Sequence, residues 1–229
     1  MNLPLHTTSA LPLLVLLSSF VPGLLIVFLP ETRVRLRTAL NITGAFAKVL
    51  LVALMLWGVM RGVEYEWGFT VMPGLRLTLV GDSLALLFVS LSALLWLLTT
   101  LYAIGYLEGS PNRSRFFAFF SLCVTATAGL ALAGDLFTFI VFYEALTWAT
   151  YPLVVHRGTD NSLNAGRTYL AYTVTGGTIL LVGIVWLYSV TGTLAFVDGG
   201  FVEALANDRT GEVQVIFVLL VAGLGVKAA

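Results

Sequence analysis

Charged residues are scarce in this sequence, and their scarcity excludes a water-soluble globular protein. Only 10% of the 229 residues are charged and 59% are hydrophobic, whereas soluble domains average about 25% charged residues. The 12 basic residues balance the 12 acidic ones, so the chain lacks the positive patch that nucleic-acid binding requires. The apolar composition also excludes intrinsic disorder. An integral membrane protein remains.

Cysteine and histidine are rarer still. The single cysteine, Cys123, excludes a disulfide framework and a cysteine-based metal site. His6 and His156 lie near the N-terminus and at the end of an apolar run, so they cannot pair inside a membrane to hold a haem. Motifs of metalloproteases, serine hydrolases and P-loop NTPases do not occur in the sequence. We therefore expect no cofactor, no metal and no catalytic site in this chain.

Long runs without Asp, Glu, Lys or Arg predict membrane-spanning helices. A helix crosses the bilayer core with about 20 mostly apolar residues, and the runs are continuous, without the alternation of a β-barrel. We predict an all-α, polytopic helix bundle that forms a single membrane domain over residues 1–229. Its seven spans are predicted at about 10–29, 39–60, 83–106, 116–133, 136–155, 169–188 and 213–229.

Arginines are distributed unevenly between the two predicted sides of the membrane. One side carries seven of them: Arg33, Arg35, Arg37, Arg113, Arg115, Arg157 and Arg167. The other side carries Arg61, Arg76 and Arg209. Because basic loops stay in the cytoplasm, we predict a multi-pass protein of a bacterial plasma or inner membrane with an extracytoplasmic N-terminus.

The loop between the second and third spans has a pattern of its own. Residues 64–71 and 75–80 alternate polar with apolar side chains around Met72-Pro73-Gly74, which predicts a small extracytoplasmic β-hairpin. Asp82 or Ser83 then caps the third helix, and Asp135 caps the fifth.

Three ionisable residues lie inside predicted spans: Lys48, Glu144 and Lys227. Each placement costs about 2.5–3.5 kcal/mol on insertion scales, so an ionisable residue at this depth indicates a function. Removal from water disfavours the charged form of a side chain, and an opposite charge nearby favours it. A lysine whose carboxylate partner can approach or withdraw is therefore a proton site of switchable affinity. A static ion pair between two helices is the alternative for Glu144 and Lys227.

Other polar residues are candidates for a water path beside these sites. Thr147 lies three residues after Glu144, and Tyr172 and Thr175 share a face of the sixth span. Ser121 and Thr125 share a face of the fourth span, although Ser and Thr also serve helix packing in membranes. Lys48 has three alternatives: it reaches the membrane surface, pairs with Glu144 or faces another subunit.

Several short motifs together resemble a known family. They are Gly81-Asp-Ser-Leu-Ala85, Tyr102-x-x-x-Tyr106, Arg115-Phe-Phe-Ala-Phe119, Gly134-Asp-Leu-Phe137, Phe139-x-x-Phe142-Tyr-Glu144 and Gly223-Leu-Gly-Val-Lys227. The pattern resembles the proton-translocating antiporter-like subunits of respiratory complex I, membrane hydrogenases and Mrp-type Na+/H+ antiporters. Tyr151-Pro-Leu-Val154 and Tyr188-x-x-x-Gly192-Thr-Leu194 are most similar to the D-like branch of the Mrp subunits.

The resemblance implies a role for two of the buried charges. In that family a glutamate of the fifth helix and a lysine of the seventh form the central pair of a proton half-channel, and Glu144 and Lys227 match them. Lys48 matches no residue of the family pattern. Members have about fourteen helices in two inverted repeats, so we expect this chain to be the N-terminal half of a longer subunit, either truncated or encoded by a split gene.

The resemblance leaves three functions open. The first is cation:proton antiport in an Mrp-type complex, with protons and Na+ or K+ as transported ions and other membrane subunits and the lipid bilayer as partners. The second is proton pumping in a complex I-like NADH:quinone oxidoreductase or a membrane hydrogenase. The third is a non-conducting scaffold.

Overall fold

Seven helices and a small sheet form the part of the chain that this computed structural model describes, which is residues 5–196, Gly200 and residues 210–228. The helices are α1 (Leu11–Val27), α2 (Val34–Val59), α3 (Ser83–Tyr106), α4 (Arg113–Ala131), α5 (Leu136–Val154), α6 (Asp160–Thr191) and α7 (Thr210–Ala228). The strands are β1 (Leu5–Thr8), β2 (Val63–Met72) and β3 (Leu75–Gly81).

The helices confirm the predicted polytopic bundle. Six of them, α2 to α7, are long and apolar enough to cross a membrane, while α1 is a shorter apolar helix of 17 residues. Leucines on α3 such as Leu84 and Leu87 are each 64% exposed. Water disfavours so large an exposed apolar surface on a monomer, and a lipid environment accepts it. The chain is a multi-pass membrane protein.

Helix α6 is longer than the sequence predicts. The predicted span begins at residue 169, but α6 begins at Asp160 and has 32 residues, or about 48 Å at 1.5 Å per residue. Thr159 caps it by accepting a hydrogen bond from the Ser162 backbone at 3.3 Å. Arg167, which the sequence places in a loop, therefore lies within the helix. The apolar run predicts only the part of α6 that is suited to the membrane. The first turns of the helix are polar and therefore lie outside that run.

The predicted β-hairpin is confirmed and carries a third strand. β2 and β3 pair antiparallel, and β1 pairs parallel with β2. Asp82 and Asp135 cap α3 and α5, because their carboxylates accept hydrogen bonds from Ala85 N at 2.7 Å and Thr138 N at 2.6 Å. The four residues of β1 precede the first apolar run and have no alternating pattern long enough to predict a strand.

The sheet defines one end of the bundle and the arginines the other. The α4–α5 connection joins the sheet, since Gly134 N donates to Thr78 O at 2.9 Å and Ala133 bridges Leu79. At the opposite end, Arg37 binds Glu31 and Ser114, and Arg115 donates to the His156 carbonyl. We call this end, with Arg33, Arg35, Arg37, Arg113, Arg115 and Arg157, the arginine-rich face.

Helices α1 and α2 cross closely at Gly44, and a substitution there tests this packing. A Cβ added at Gly44 would lie 2.7 Å from both the Pro22 ring and the Ser18 carbonyl oxygen, whereas one added at Gly105 on α3 would meet open space. We expect Gly44→Ala to lower the free energy of unfolding by about 1–3 kcal/mol because the helices must separate. Gly105→Ala should be neutral or stabilising, by up to about 1 kcal/mol. Thermal unfolding in detergent measures both, and equal midpoints for the two variants would contradict this crossing.

Candidate functional site

Glu144 on α5 and Lys227 on α7 face each other at the contact between the two helices. Lys227 Nζ lies 3.9 Å from Glu144 Oε1, which is an ion pair but longer than a hydrogen bond. Glu144 Oε1 is buried and accepts no hydrogen bond from the described residues. The carboxylate is therefore held near the ammonium without being fixed to it.

Tyr143 supplies the partners that hold Lys227. The ammonium donates to the Tyr143 backbone carbonyl and lies 3.4 Å from the centre of the Tyr143 ring. The Tyr143 hydroxyl in turn donates to the Gly223 carbonyl at 2.8 Å. Since a carbonyl oxygen and the face of an aromatic ring both attract a cation, Tyr143 can stabilise the lysine charge when the carboxylate is neutral.

Glycines on α6 and α7 make room for this pair. A Cβ at Gly177 would overlap the Glu144 carboxylate, and one at Gly176 would lie 2.6 Å from Val226. A Cβ at Gly223 would lie 2.7 Å from the backbone nitrogen of Leu180. Small residues let membrane helices approach closely. The glycines therefore allow α5, α6 and α7 to meet around two charged groups.

Hydroxyl groups lead from the pair towards the arginine-rich face. Thr147, buried one turn from Glu144, donates to the same Tyr143 carbonyl at 3.5 Å. One turn further, the Thr150 hydroxyl hydrogen-bonds that of Tyr169 on α6. Thr173 donates to the Tyr169 carbonyl at 2.8 Å. We call Thr147, Thr150, Tyr169 and Thr173 the hydroxyl ladder.

The opposite side of the pair is apolar. Towards the sheet, Ile140, Leu180, Ile184 and Leu194 form a buried hydrophobic cluster with Tyr143. An apolar cluster offers water no hydrogen-bond partners. In the described part of the chain the polar approach to Glu144 and Lys227 thus comes from the arginine-rich face.

The structure brings together only some of the residues selected from the sequence. Glu144, Lys227 and Thr147 lie together. Tyr172 is 68% exposed on the outside of α6, and Thr175 is exposed beside it, so neither lies on the hydroxyl ladder. The ladder contains Tyr169 and Thr173 instead, which sequence reasoning missed. Tyr169, Thr173 and Gly177 are four residues apart, and this spacing places them on the same face of a helix. It is the sequence signal that could have identified the buried face of α6.

Lys48 is far more enclosed than any of its three expected arrangements implies. Its side chain is fully buried, and Nζ donates to Ser19 Oγ at 3.1 Å and to the Val124 carbonyl at 3.4 Å. It does not hydrogen-bond Glu144, reach the surface or face outwards. Lys48 therefore belongs to a second polar site between α1, α2 and α4.

His156 is the titratable group at the arginine-rich end of α5. Burial, together with the positive charge of Arg115, lowers the pKa of His156 below its ordinary value, although Glu31 opposes the shift. Burial and Arg115 thus favour the neutral imidazole, and the positive charge of this face comes from its arginines.

Two family models match parts of this chain. The transmembrane family model described as NADH:quinone oxidoreductase/Mrp antiporter matches residues 133–229, which contain Glu144, Lys227 and the hydroxyl ladder. The model for the N-terminus of NADH-ubiquinone oxidoreductase (complex I) chain 5 matches residues 67–117.

Individual relatives come from both kinds of complex. The D-type subunit of the Na(+)/H(+) antiporter of Bacillus subtilis is 32% identical over 66% of this chain and 30% of that protein. The N-type subunit of the NADH-quinone oxidoreductase of Deinococcus radiodurans is 32% identical over 100% of this chain and 46% of that protein. A chain of the Mrp complex from Dietzia sp. matches with a TM-score of 0.77 and 25% identity, over 96% of this chain and 41% of that one. The chain thus spans less than half the length of each.

The Tyr143 hydroxyl provides a test of the site's packing. Tyr143→Phe removes the hydrogen bond that joins α5 to the Gly223 carbonyl of α7, so we expect the free energy of unfolding to fall by about 0.5–1.5 kcal/mol. Tyr172→Phe, at the exposed position on α6, should leave it unchanged. Thermal unfolding of the two variants in detergent makes the comparison. A larger loss for Tyr172→Phe would contradict the placement of both tyrosines.

Proposed function

Because the chain belongs to the NADH:quinone oxidoreductase/Mrp antiporter transmembrane family, we propose that it translocates protons through Glu144 and Lys227 as part of a larger membrane complex. The observation that carries the proposal is the loose ion pair, with Nζ and Oε1 3.9 Å apart in a membrane helix bundle. A pair that served only as a structural clamp would gain most from direct hydrogen bonds in the low-dielectric interior.

The chemistry follows from the alternative partners of Lys227. When Glu144 is ionised, its charge stabilises the ammonium of Lys227 across the helix contact. When a proton reaches Glu144, that attraction disappears, and the Tyr143 carbonyl and ring remain as the partners of the ammonium. Each proton that binds or leaves Glu144 therefore changes how firmly Lys227 holds its own proton.

Protons approach this pair from the arginine-rich face along the hydroxyl ladder. Hydroxyl groups both donate and accept hydrogen bonds, so they can order a chain of water molecules or pass a proton along it. The buried cluster towards the sheet closes the other side. This arrangement is half of a path across the membrane. It begins at the arginine-rich face and ends at Glu144 and Lys227, inside the helix bundle.

Cation:proton antiport within an Mrp-type complex is the first candidate for the complete activity. Its support is the similarity to the D-type subunit of a Na(+)/H(+) antiporter and to a solved Mrp complex. The partners would be other membrane subunits and the surrounding lipid, and the exchanged cation would be Na+ or K+.

Redox-driven proton pumping is the second candidate. Its support is the match of this whole chain to the N-type subunit of an NADH-quinone oxidoreductase. In that case quinone reduction elsewhere in the complex would drive the proton on and off Glu144, and no second cation would be needed.

The orientation proposed for this path follows the charge distribution. The arginine-rich face lies in the cytoplasm of a bacterial plasma or inner membrane, because basic loops stay on that side. The sheet and the N-terminus then lie outside. Protons of the cytoplasm are those that reach the hydroxyl ladder.

Replacing the carboxylate tests the proton site. Glu144→Gln keeps the size of the side chain but cannot bind and release a proton, so we expect proton transport by the complete complex in membrane vesicles to fall at least about 100-fold. Glu108→Gln, at an exposed position after α3, is the matched control and should transport normally. Assembly of both complexes is checked by gel filtration. Normal transport by an assembled Glu144→Gln complex would leave the scaffold role as the explanation.

Removing one hydroxyl tests the direction of approach. Thr150→Val preserves shape but breaks the link to Tyr169, so we expect proton transport to decline about tenfold. Thr178→Val is the control, since the Thr178 hydroxyl is exposed and donates only to the Val174 carbonyl of its own helix. Equal transport by the two variants would show that protons do not use the ladder.

The driving force separates the two complexes. In vesicles without NADH or quinone, an Mrp-type complex should acidify or alkalinise the lumen when a Na+ or K+ gradient is imposed. A redox-linked complex should respond to NADH and quinone and ignore the cation gradient. A fluorescent pH indicator in the vesicle lumen measures both responses.

A further inference from the structure

The environment of Lys48 contains a second set of buried polar groups that the Glu144–Lys227 pair does not use. Four helices meet at this lysine: Ser19 of α1 and Val124 of α4 accept its hydrogen bonds, and the Trp96 ring of α3 lies 5.5 Å from Nζ. The side chain, which belongs to α2, is fully buried. A cation at this depth is expensive, so the four-helix contact is built around it.

Polar contacts continue from Lys48 to the arginine-rich face. The Thr125 hydroxyl lies 2.9 Å from Ser19 Oγ and 3.0 Å from the Ser121 carbonyl oxygen, and it can donate its one proton to either. Ser121 donates to Asn41 Oδ1 at 2.9 Å, and Asn41 donates to the Arg37 carbonyl at 3.3 Å.

The contacts end at charged groups of that face. Arg37 binds Glu31 at 3.1 Å, and Glu31 also accepts a hydrogen bond from the Ser114 backbone at 2.9 Å. We call Ser19, Thr125, Ser121 and Asn41 the α1–α2–α4 column. It connects a buried lysine to the membrane surface as the hydroxyl ladder connects Lys227.

No acidic group compensates Lys48 among the described residues packed around it. Helix α1 carries no titratable side chain, and those of α3 are Tyr102 and Tyr106, which are 65% and 70% exposed. Helix α4 contributes the buried thiol of Cys123 besides two arginines of its first turn. Lys48 thus differs from Lys227, which has a carboxylate opposite it.

The partners of Lys48 suit both of its protonation states. When Lys48 is an ammonium, the Ser19 hydroxyl accepts its hydrogen bond and donates its own to the Leu16 carbonyl at 3.2 Å. When Lys48 is a neutral amine, the Ser19 hydroxyl can turn and donate to the nitrogen lone pair, while an amine N–H still donates to Val124. Neither state leaves one of these partners unpaired.

Trp96, whose ring lies 5.5 Å from Lys48 Nζ, belongs to a pair of buried polar groups on α3. Trp96 Nε1 and Thr100 Oγ1, one turn apart on α3, are buried and have no hydrogen-bond partner in the described structure. Buried polar groups of this kind are usually satisfied by internal water. Trp96 Nε1 thus adds a polar group to the four-helix contact from α3, which contributes no member to the α1–α2–α4 column.

We propose that Lys48 is a second proton-binding site, reached from the arginine-rich face along the α1–α2–α4 column and separate from the Glu144–Lys227 pair. A proton from water at that face forms an N–H bond with the neutral amine of Lys48, and the resulting ammonium returns it by the same route. The site goes beyond the proposed function, which uses only Glu144 and Lys227.

The lysine content of the chain gives a direct readout. Lys48 and Lys227 are the two lysines of the sequence, so Lys227→Met leaves a single lysine whose ¹³Cε chemical shift distinguishes ammonium from amine. The full chain, labelled with ¹³C-lysine, is inserted in one orientation into liposomes, and the pH is varied on one side at a time from mildly acidic to strongly alkaline. We expect the Lys48 signal to move reversibly with the pH on the arginine-rich side and to ignore the other side.

Two results would overturn the proposal. A Lys48 signal that stays at one position throughout identifies a static group, and a signal that follows the pH on the sheet side refutes the route. If Lys227→Met does not fold, the unsubstituted chain shows two signals, and the one that disappears in Lys48→Met belongs to Lys48. This readout measures the protonation of Lys48 and involves no transport. The proposed function is tested separately, because it would be refuted by normal proton transport in the Glu144→Gln complex.

Discussion

Every charge inside this bundle needs a polar partner, because the surrounding lipid does not solvate it. That constraint organises the site. Lys227 has a carboxylate at 3.9 Å together with a carbonyl and an aromatic ring from Tyr143. Lys48 meets the same constraint with neutral groups alone. The two lysines show two ways of stabilising a cation inside a helix bundle.

Close helix packing is what allows these partners to meet. Gly177 leaves room for the Glu144 carboxylate, and Gly176 and Gly223 let α6 and α7 approach until backbone and side chain touch. The polar groups beside the pair also lie on one side, since the apolar cluster lies towards the sheet and the hydroxyl ladder towards the arginine-rich face. In the proposed function, proton access to the pair therefore depends on the same small residues that allow the helices to pack closely.

Charge placement predicts much of this fold and only part of the site. Glu144 and Lys227 stand out because an ionisable residue in an apolar run is rare, and that signal needs no knowledge of the neighbours. Tyr172 and Thr175 show the limit: a helix has several polar faces, and sequence alone does not say which one meets α5. The partners of Lys48 could not be predicted from the sequence for a similar reason. Ser19 and Thr125 are far apart in the chain and become neighbours only when α1 packs on α4.

The central claim is that Glu144 exchanges a proton and is not a permanent member of an ion pair. Infrared spectroscopy of the complete complex in oriented vesicles tests this most directly, because a protonated carboxyl group has a C=O stretch that a carboxylate lacks and Glu144→Gln identifies the band. The account predicts that the Glu144 band appears and disappears as the pH on the arginine-rich side is changed. A carboxylate that stays ionised at every pH at which the complex remains folded would contradict it.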